Sequence, residues 1–187
     1  SHTLQVNARQ DKNSQYGSYN TGNIGDVFQL TKEFYLRANV GTGFKAPTFN
    51  DLYFPGFGNP NLLPERSLSR EIGIKYYYGN QNLTATYFDN QIHDLIVFDR
   101  VTSMPQNLNS ARIKGTEFTY DVRFKPFHLT AQTTFQNPIN EMNGKLLPRR
   151  ARNHSSVIAG YAIGPWKVGA EAIESGPRFD SLTENPP

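Results

Sequence analysis

Leu4, Val6 and Ala8 alternate with Gln5, Asn7 and Arg9, a period of two that gives a strand one apolar and one polar face. The pattern returns along the chain. Ile24, Phe28 and Leu30 make an apolar set that Asp26 interrupts, and Phe34, Leu36, Ala38 and Val40 face away from Tyr35, Arg37 and Asn39. Ile72, Ile74, Tyr76 and Tyr78 then alternate with Glu71, Gly73, Lys75 and Tyr77, and Leu83, Ala85 and Tyr87 open a strand that runs on to Asp99. Phe118, Tyr120, Val122 and Phe124 oppose Glu117, Thr119, Asp121 and Arg123. Leu129 to Phe135, Val157 to Ile163 and Trp166 to Ala172 complete the series. About nine antiparallel strands are predicted, with no crossover helix and no helical period of useful length.

The connections sort into two kinds. Short turns are expected at 31–33, 79–82, 125–127 and 164–165, and long loops at 11–21, 43–68, 100–110 and 138–150, in strict alternation. One end of the sheet thus carries turns and the other carries loops, the asymmetry of outer-membrane barrels. Phe28, Phe34, Tyr76, Tyr78, Phe124 and Trp166 sit beside the short turns on the apolar face, where an aromatic girdle would meet a membrane interface. A soluble β-sandwich or ligand-binding barrel alternates in the same way with its apolar face inward. The mid-strand charges Arg37, Lys75, Glu117, Asp121, Arg123, Lys167 and Glu171, and strands longer than soluble sheets use, favour a polar lumen and an apolar exterior.

Composition is consistent with this and narrows the chemistry. The 187 residues are 13% aromatic, with a mean hydropathy of −0.59 and no apolar run long enough for a spanning helix, which leaves a strand-built membrane protein open. Cysteine is absent, excluding disulfides, thiol catalysis and thiolate zinc sites. The net charge of +3 is scattered, a weak nucleic-acid footprint, so no nucleic-acid partner is expected. His2, His93, His128 and His154 lack metal-ligand spacing, and Asp89, Asp94 and Asp99, five apart, would alternate faces rather than gather round a cation. Neither a metal nor a cofactor is expected.

The most informative irregular stretch is Gly41 to Glu65, whose prolines and glycines break regular pairing and whose Phe44, Phe49, Tyr53, Phe54 and Phe57 exceed what a solvated connector needs. The loop either packs on itself or presents a sticky face. Its pieces GTGFKAPTFNDLY (41–53) and GNPNLLPE (58–65), followed by SREIG (69–73), HDLI (93–96), NSARIKGTE (109–117) and LPRRAR (147–152), resemble, in order, the barrel of TonB-dependent outer-membrane receptors. The LPRRAR piece resembles the cobalamin branch, whereas the Lys-Ala-Pro and Asn-Pro pieces are common to receptors of different cargo.

The resemblance implies an antiparallel up-and-down transmembrane β-barrel of 22 strands closed round a plug, of which residues 1–187 would supply about nine. The plug and the last strands would lie outside this chain, which starts at Ser1 and stops at Pro187 in mid-pattern. With two open edges, the piece alone is not expected to insert as a stable barrel. The implied function is non-enzymatic: an outer-membrane receptor binds cobalamin, or alternatively a ferric siderophore or other metal chelate, and TonB acting on the plug drives import. Tyr53, Phe54, Phe57 and Asn59 are candidate ligand contacts, and Arg149, Arg150 and Arg152 either steer an anionic ligand or face lipid headgroups. Glu71, Glu117, Asp121 and Arg123 are candidates for a polar network in the lumen. A small closed-barrel outer-membrane enzyme is an alternative, but His93 and Asp94 would point to opposite sides of a strand. A soluble β-sandwich binding module is the other.

Overall fold

The computed structural model describes residues 1–180. Its strands are β1 (His2–Asn13), β2 (Gly17–Gln29), β3 (Phe34–Lys45), β4 (Glu65–Tyr78), β5 (Gln81–Asp99), β6 (Met104–Phe124), β7 (Phe127–Asn140), β8 (Asn153–Ile163) and β9 (Trp166–Ser175). Each pairs antiparallel with the next, in the order β1 to β9. This is an up-and-down all-β sheet, as the alternation predicts.

The register unites the apolar positions on one face. Leu36, Ile74, Ala85, Phe118 and Thr133 follow one another across five strands, and Phe34, Tyr76, Leu83, Tyr120 and Ala131 lie on a neighbouring row. Towards the short turns this face ends in aromatics: Phe34 packs on Tyr76 at 4.5 Å, Phe124 on Phe127 at 5.5 Å, and Trp166 is 74% exposed. Towards the other end the same face changes character, because Ile72 is followed by Arg70, Tyr87 by Asp89 and Thr116 by Lys114. Tyr78 to Arg70 is eight residues, about 26 Å along a strand. A usual barrel tilt shortens this to about 20 Å, near the ~25 Å apolar band of such barrels.

Above the band the strands outrun the sequence reading. The expected loop 11–21 is a tight turn, Ser14 to Tyr16, between paired strands, and the expected loop 100–110 shrinks to residues 100–103. The backbone ladder continues there with polar side chains on both faces at the β1–β2 tip and with apolar and polar side chains mixed on each face of the β5–β6 hairpin. Hydropathy alternation needs one apolar face, so it vanishes while pairing persists. The irregular stretch is 46–64 rather than 43–68, and Gly41–Lys45 belongs to β3. Pro138 and Asn140 stay paired to β6 after β7 has parted from β8 at Phe135, an edge position that proline tolerates. The long-loop end therefore carries two tight turns and two long loops.

Short turns close the opposite end, of two residues at 79–80, 125–126 and 164–165 and of four at 30–33. Gly79 and Gly164 take φ of 56° and 57°, a positive φ at the first turn position alone, the type II′ arrangement that suits hairpin twist.

Candidate ligand-binding surface at the long-loop end

Thr48 starts a short helix, α1 (Phe49–Tyr53), absent from the alternation reading. Its hydroxyl accepts from the Asp51 amide and the Asp51 carboxylate accepts from the Thr48 amide, a capping box legible as Thr48-x-x-Asp51. After α1 the chain folds back, with the Gly58 amide donating to the Phe54 carbonyl and the Asn59 amide to the Asp51 carbonyl.

This folded loop is bolted to the projecting β5–β6 hairpin. Asn59 Nδ2 donates to the Pro105 carbonyl at 2.9 Å, and its Oδ1 accepts from the Asn61 amide at 3.0 Å. Asn107 accepts from the Leu63 amide at 2.8 Å and donates to the carbonyls of Leu63 and Asp94. Phe54 stacks on Phe57 at 4.4 Å, Phe57 meets Phe98 edge-on at 5.9 Å, and Leu62 is 2% exposed. Glu65 accepts from Lys45 and from the Ile96 amide at the strand entry.

The four loop residues singled out from the sequence thus divide. Phe57 and Asn59 brace the loop, whereas Tyr53 and Phe54 keep about half their surface open (48% and 44%), beside Phe49 at 75%. Tyr53 and Phe49 lie 5.2 Å apart, and with the exposed part of Phe54 they present an aromatic ledge at the long-loop end. The β1–β2 tip reaches the same region. The Tyr16 hydroxyl is buried without a hydrogen-bond partner, and burial first, then the phenols of Tyr53 and Tyr19, push its pKa up.

The second long loop, 141–152, packs on the other side of the hairpin. Leu147 is 1% exposed and joins Leu95 and Ala111 in a small apolar core above the band. A cleft of about 110 Å³ between Leu95–Phe98 and the loop has Arg149 and Arg150 on its wall. Arg152 lies elsewhere, with Lys114.

An ion cluster ties this loop down. Arg112 donates through Nε and Nη2 to the two oxygens of Asp89 at 2.8 and 2.6 Å, and its Nη1 stands 3.5 Å from Glu141. The Ser110 hydroxyl and the Gln91 amide also donate to Glu141. Ser110 first, then the Arg112 charge and Gln91, hold the Glu141 carboxyl below its usual range against an opposing effect of burial. A lowered folded pKa gives stabilisation that is present above the ordinary glutamate value and lost as pH falls through the folded one. Protease cleavage of loop 141–152 should therefore rise on acidification, and Glu141→Gln should flatten that profile. An unchanged profile in Glu141→Gln would exclude the carboxylate as its source.

The polar face of the sheet carries the candidate lumen residues in two places. Asp121 accepts from Thr130 at 2.8 Å and Asn82 at 3.4 Å and pairs with Arg123 at 3.3 Å, near the short turns. Glu71 lines a separate hollow with Arg37 and Asn39, and Arg37 donates to Thr86 at 2.9 Å. Glu117 pairs across the ladder with Thr134 and with Thr86, the residue to which Arg37 donates. Asp94 binds Arg66 at 3.0 Å, and Asp99 caps the β5–β6 turn through the Val101 amide.

Known proteins share this architecture. The family model described as TonB dependent receptor-like, beta-barrel matches residues 1–187. The vitamin B12 transporter BtuB of Vibrio vulnificus is 33% identical over 183 residues, covering 96% of this chain and 30% of the relative. That of Photobacterium profundum is 31% identical over 184 residues, covering 95% and 30%. The chain spans about 30% of the length of these curated relatives. Among solved structures, a ferric enterobactin receptor (PfeA) mutant from Pseudomonas aeruginosa superposes with a TM-score of 0.74 at 19% identity, over 94% of this chain and 30% of that one. The siderophore receptor PirA from Acinetobacter baumannii gives 0.73 at 21% identity, over 90% and 30%. These two likenesses concern the fold. With every residue inside the family model and the strand order of a receptor barrel, the chain belongs to the TonB-dependent receptor β-barrel family.

Proposed function

We propose that this chain is part of the barrel of an outer-membrane receptor that binds cobalamin at its long-loop end and imports it with energy delivered by TonB. The observation that carries the cargo is the likeness to vitamin B12 transporters, at 33% and 31% identity over nearly the whole chain. The siderophore receptors of similar fold stand at 19% and 21% identity, too distant to speak for cargo. In this reading the plug, the remaining strands and the TonB contact belong to other parts of the full-length protein. No bond is made or broken; the loops bind, the apolar band of residues such as Ile72, Ile74 and Phe118 faces lipid, and the polar face lines the lumen.

The ledge of Tyr53 and Phe54 supplies the first contact, since exposed aromatic faces give area at little entropic cost to a large, partly apolar ligand. Tyr53→Ala combined with Phe54→Ala in the full-length receptor is expected to weaken cobalamin binding about tenfold or more, the scale of losing two aromatic contacts. Equilibrium binding of labelled cobalamin checks this. Retention of full affinity would remove the ledge from the site, and binding of ferric siderophores with none of cobalamin would reassign the cargo.

A further inference from the structure

The apolar face of β6 and β7 ends in a groove that neither the transport reading nor the luminal residues use. Its volume is about 670 Å³. Thr116 and Phe135, half exposed, form the last apolar row, and Asn153 stands opposite Phe135 across the ladder. One step further from the short turns come Lys114 and Asn137, themselves paired, and Arg152, Gly176 and Pro177 line the same groove. The loop carrying Arg152 is held in place there, because the Gln136 side chain donates to the Ala151 carbonyl at 2.7 Å and the Gln136 amide to the Arg152 carbonyl at 2.8 Å.

The two cations are available. Neither Lys114 nor Arg152 has an acidic partner in ion-pair contact among the described residues. The carboxylate nearest Lys114 in register is Asp89, and both of its oxygens are already held by Arg112. Arg70 stands on the same row beyond Asp89, so the row carries excess positive charge where the apolar band stops.

We propose that this groove binds a phosphate-bearing lipid of the leaflet at the long-loop end, its phosphate between Lys114 and Arg152 and its first acyl segment against Phe135. The inference rests on the transmembrane reading of the barrel and not on its cargo. Depth selects a lipid rather than a soluble anion, because one side of the groove is apolar band and the other is cationic, as a headgroup with its chain requires. Each cation near an anionic interface contributes on the order of a few-fold in affinity or more. Asn137 and Asn153 offer amide donors to the remaining oxygens.

The test uses the full-length receptor in neutral detergent, with bisphosphorylated lipid A and its dephosphorylated form as probes and bound lipid counted by native mass spectrometry. The expected result is at least a tenfold preference for the phosphorylated lipid, lost in Lys114→Gln/Arg152→Gln and kept in Lys114→Arg/Arg152→Lys. A control at the opposite end, Lys125→Gln, is expected to keep it. Preference surviving the double glutamine variant overturns the proposal, as does displacement of the lipid by excess inorganic phosphate, which would mark a free-anion site. Heat-modifiable migration on gels reports the barrel independently. Its absence in the parent receptor would overturn the membrane reading itself, whereas loss of cobalamin binding with lipid preference intact would touch only the cargo.

Discussion

Ile74→Arg is expected to destabilise the full-length barrel in a bilayer by about 2–4 kcal/mol, the cost of a cation at the midplane of a lipid-facing strand. Ile74 lies midway between Tyr78, in the aromatic row, and Arg70, where the face turns polar, and its neighbours on the row are Leu36 and Ala85. A guanidinium there has more than one turn of strand to climb before it meets either interface, so snorkelling relieves little of the cost. The adjacent Lys75 points to the opposite face, where its ammonium lies 4.7 Å from the Tyr77 ring. Lys75→Arg should therefore change stability by less than about 0.5 kcal/mol, the usual range for tolerated surface changes. Urea-driven unfolding from lipid vesicles measures both. Equal effects at positions 74 and 75 would mean that the apolar face does not meet lipid, and a soluble sandwich with that face inward would have to be reconsidered.

The contrast between those neighbours is also why so much of the fold could be read from the chain. Within the apolar band one face must be uniformly apolar, so strands such as Phe34–Val40 and Ile72–Tyr78 declare themselves by period alone. Register was not legible at the turn after Tyr78, because the expected turn at 79–82 would pair Tyr78 with Leu83, whereas the structure pairs Tyr78 with Gln81. A two-residue turn at Gly79-Asn80 fixes every pair above it, placing Arg70 opposite Asp89 across the ladder. The β5–β6 register was hidden, because 100–110 reads as a loop when its end is a strand with no uniformly apolar face. With that register lost, the Arg112–Asp89 pair and the role of Asn107 were lost as well, since both depend on which residue stands across the ladder. The loop residues failed for a different reason. Composition marks Phe54, Phe57 and Asn59 alike, and only the tertiary contacts of Phe57 with Phe98 and Asn59 with Pro105 separate bracing residues from open ones.

Gly58→Ala should abolish most ligand binding while leaving the barrel folded. A Cβ at this position would lie 2.6 Å from the Leu52 carbonyl oxygen, 2.7 Å from the Phe54 nitrogen and 2.8 Å from the Leu52 carbonyl carbon. All three are backbone atoms of α1 and its cap, so no rotamer change relieves the overlap and the segments must separate. Overpacking of this kind costs about 1–3 kcal/mol. Separation also breaks the returns of Gly58 to Phe54 and of Asn59 to Asp51, which set the angle of α1 against the rest of the loop. The Tyr53 and Phe54 ledge is carried by those bonds, so a methyl group outside the ledge moves the surface proposed to bind ligand. Cobalamin affinity of the full-length receptor is expected to fall by about tenfold or more, the scale of losing two aromatic contacts. Faster proteolysis within 46–64 should accompany it, with unchanged heat-modifiable migration, because the β3–β4 ladder below runs unbroken from Lys45–Glu65 to Phe34–Tyr76. A Gly58→Ala receptor that binds cobalamin as the parent does, with its loop as resistant to protease, would show that the architecture of 46–64 is not what presents the ligand-binding face.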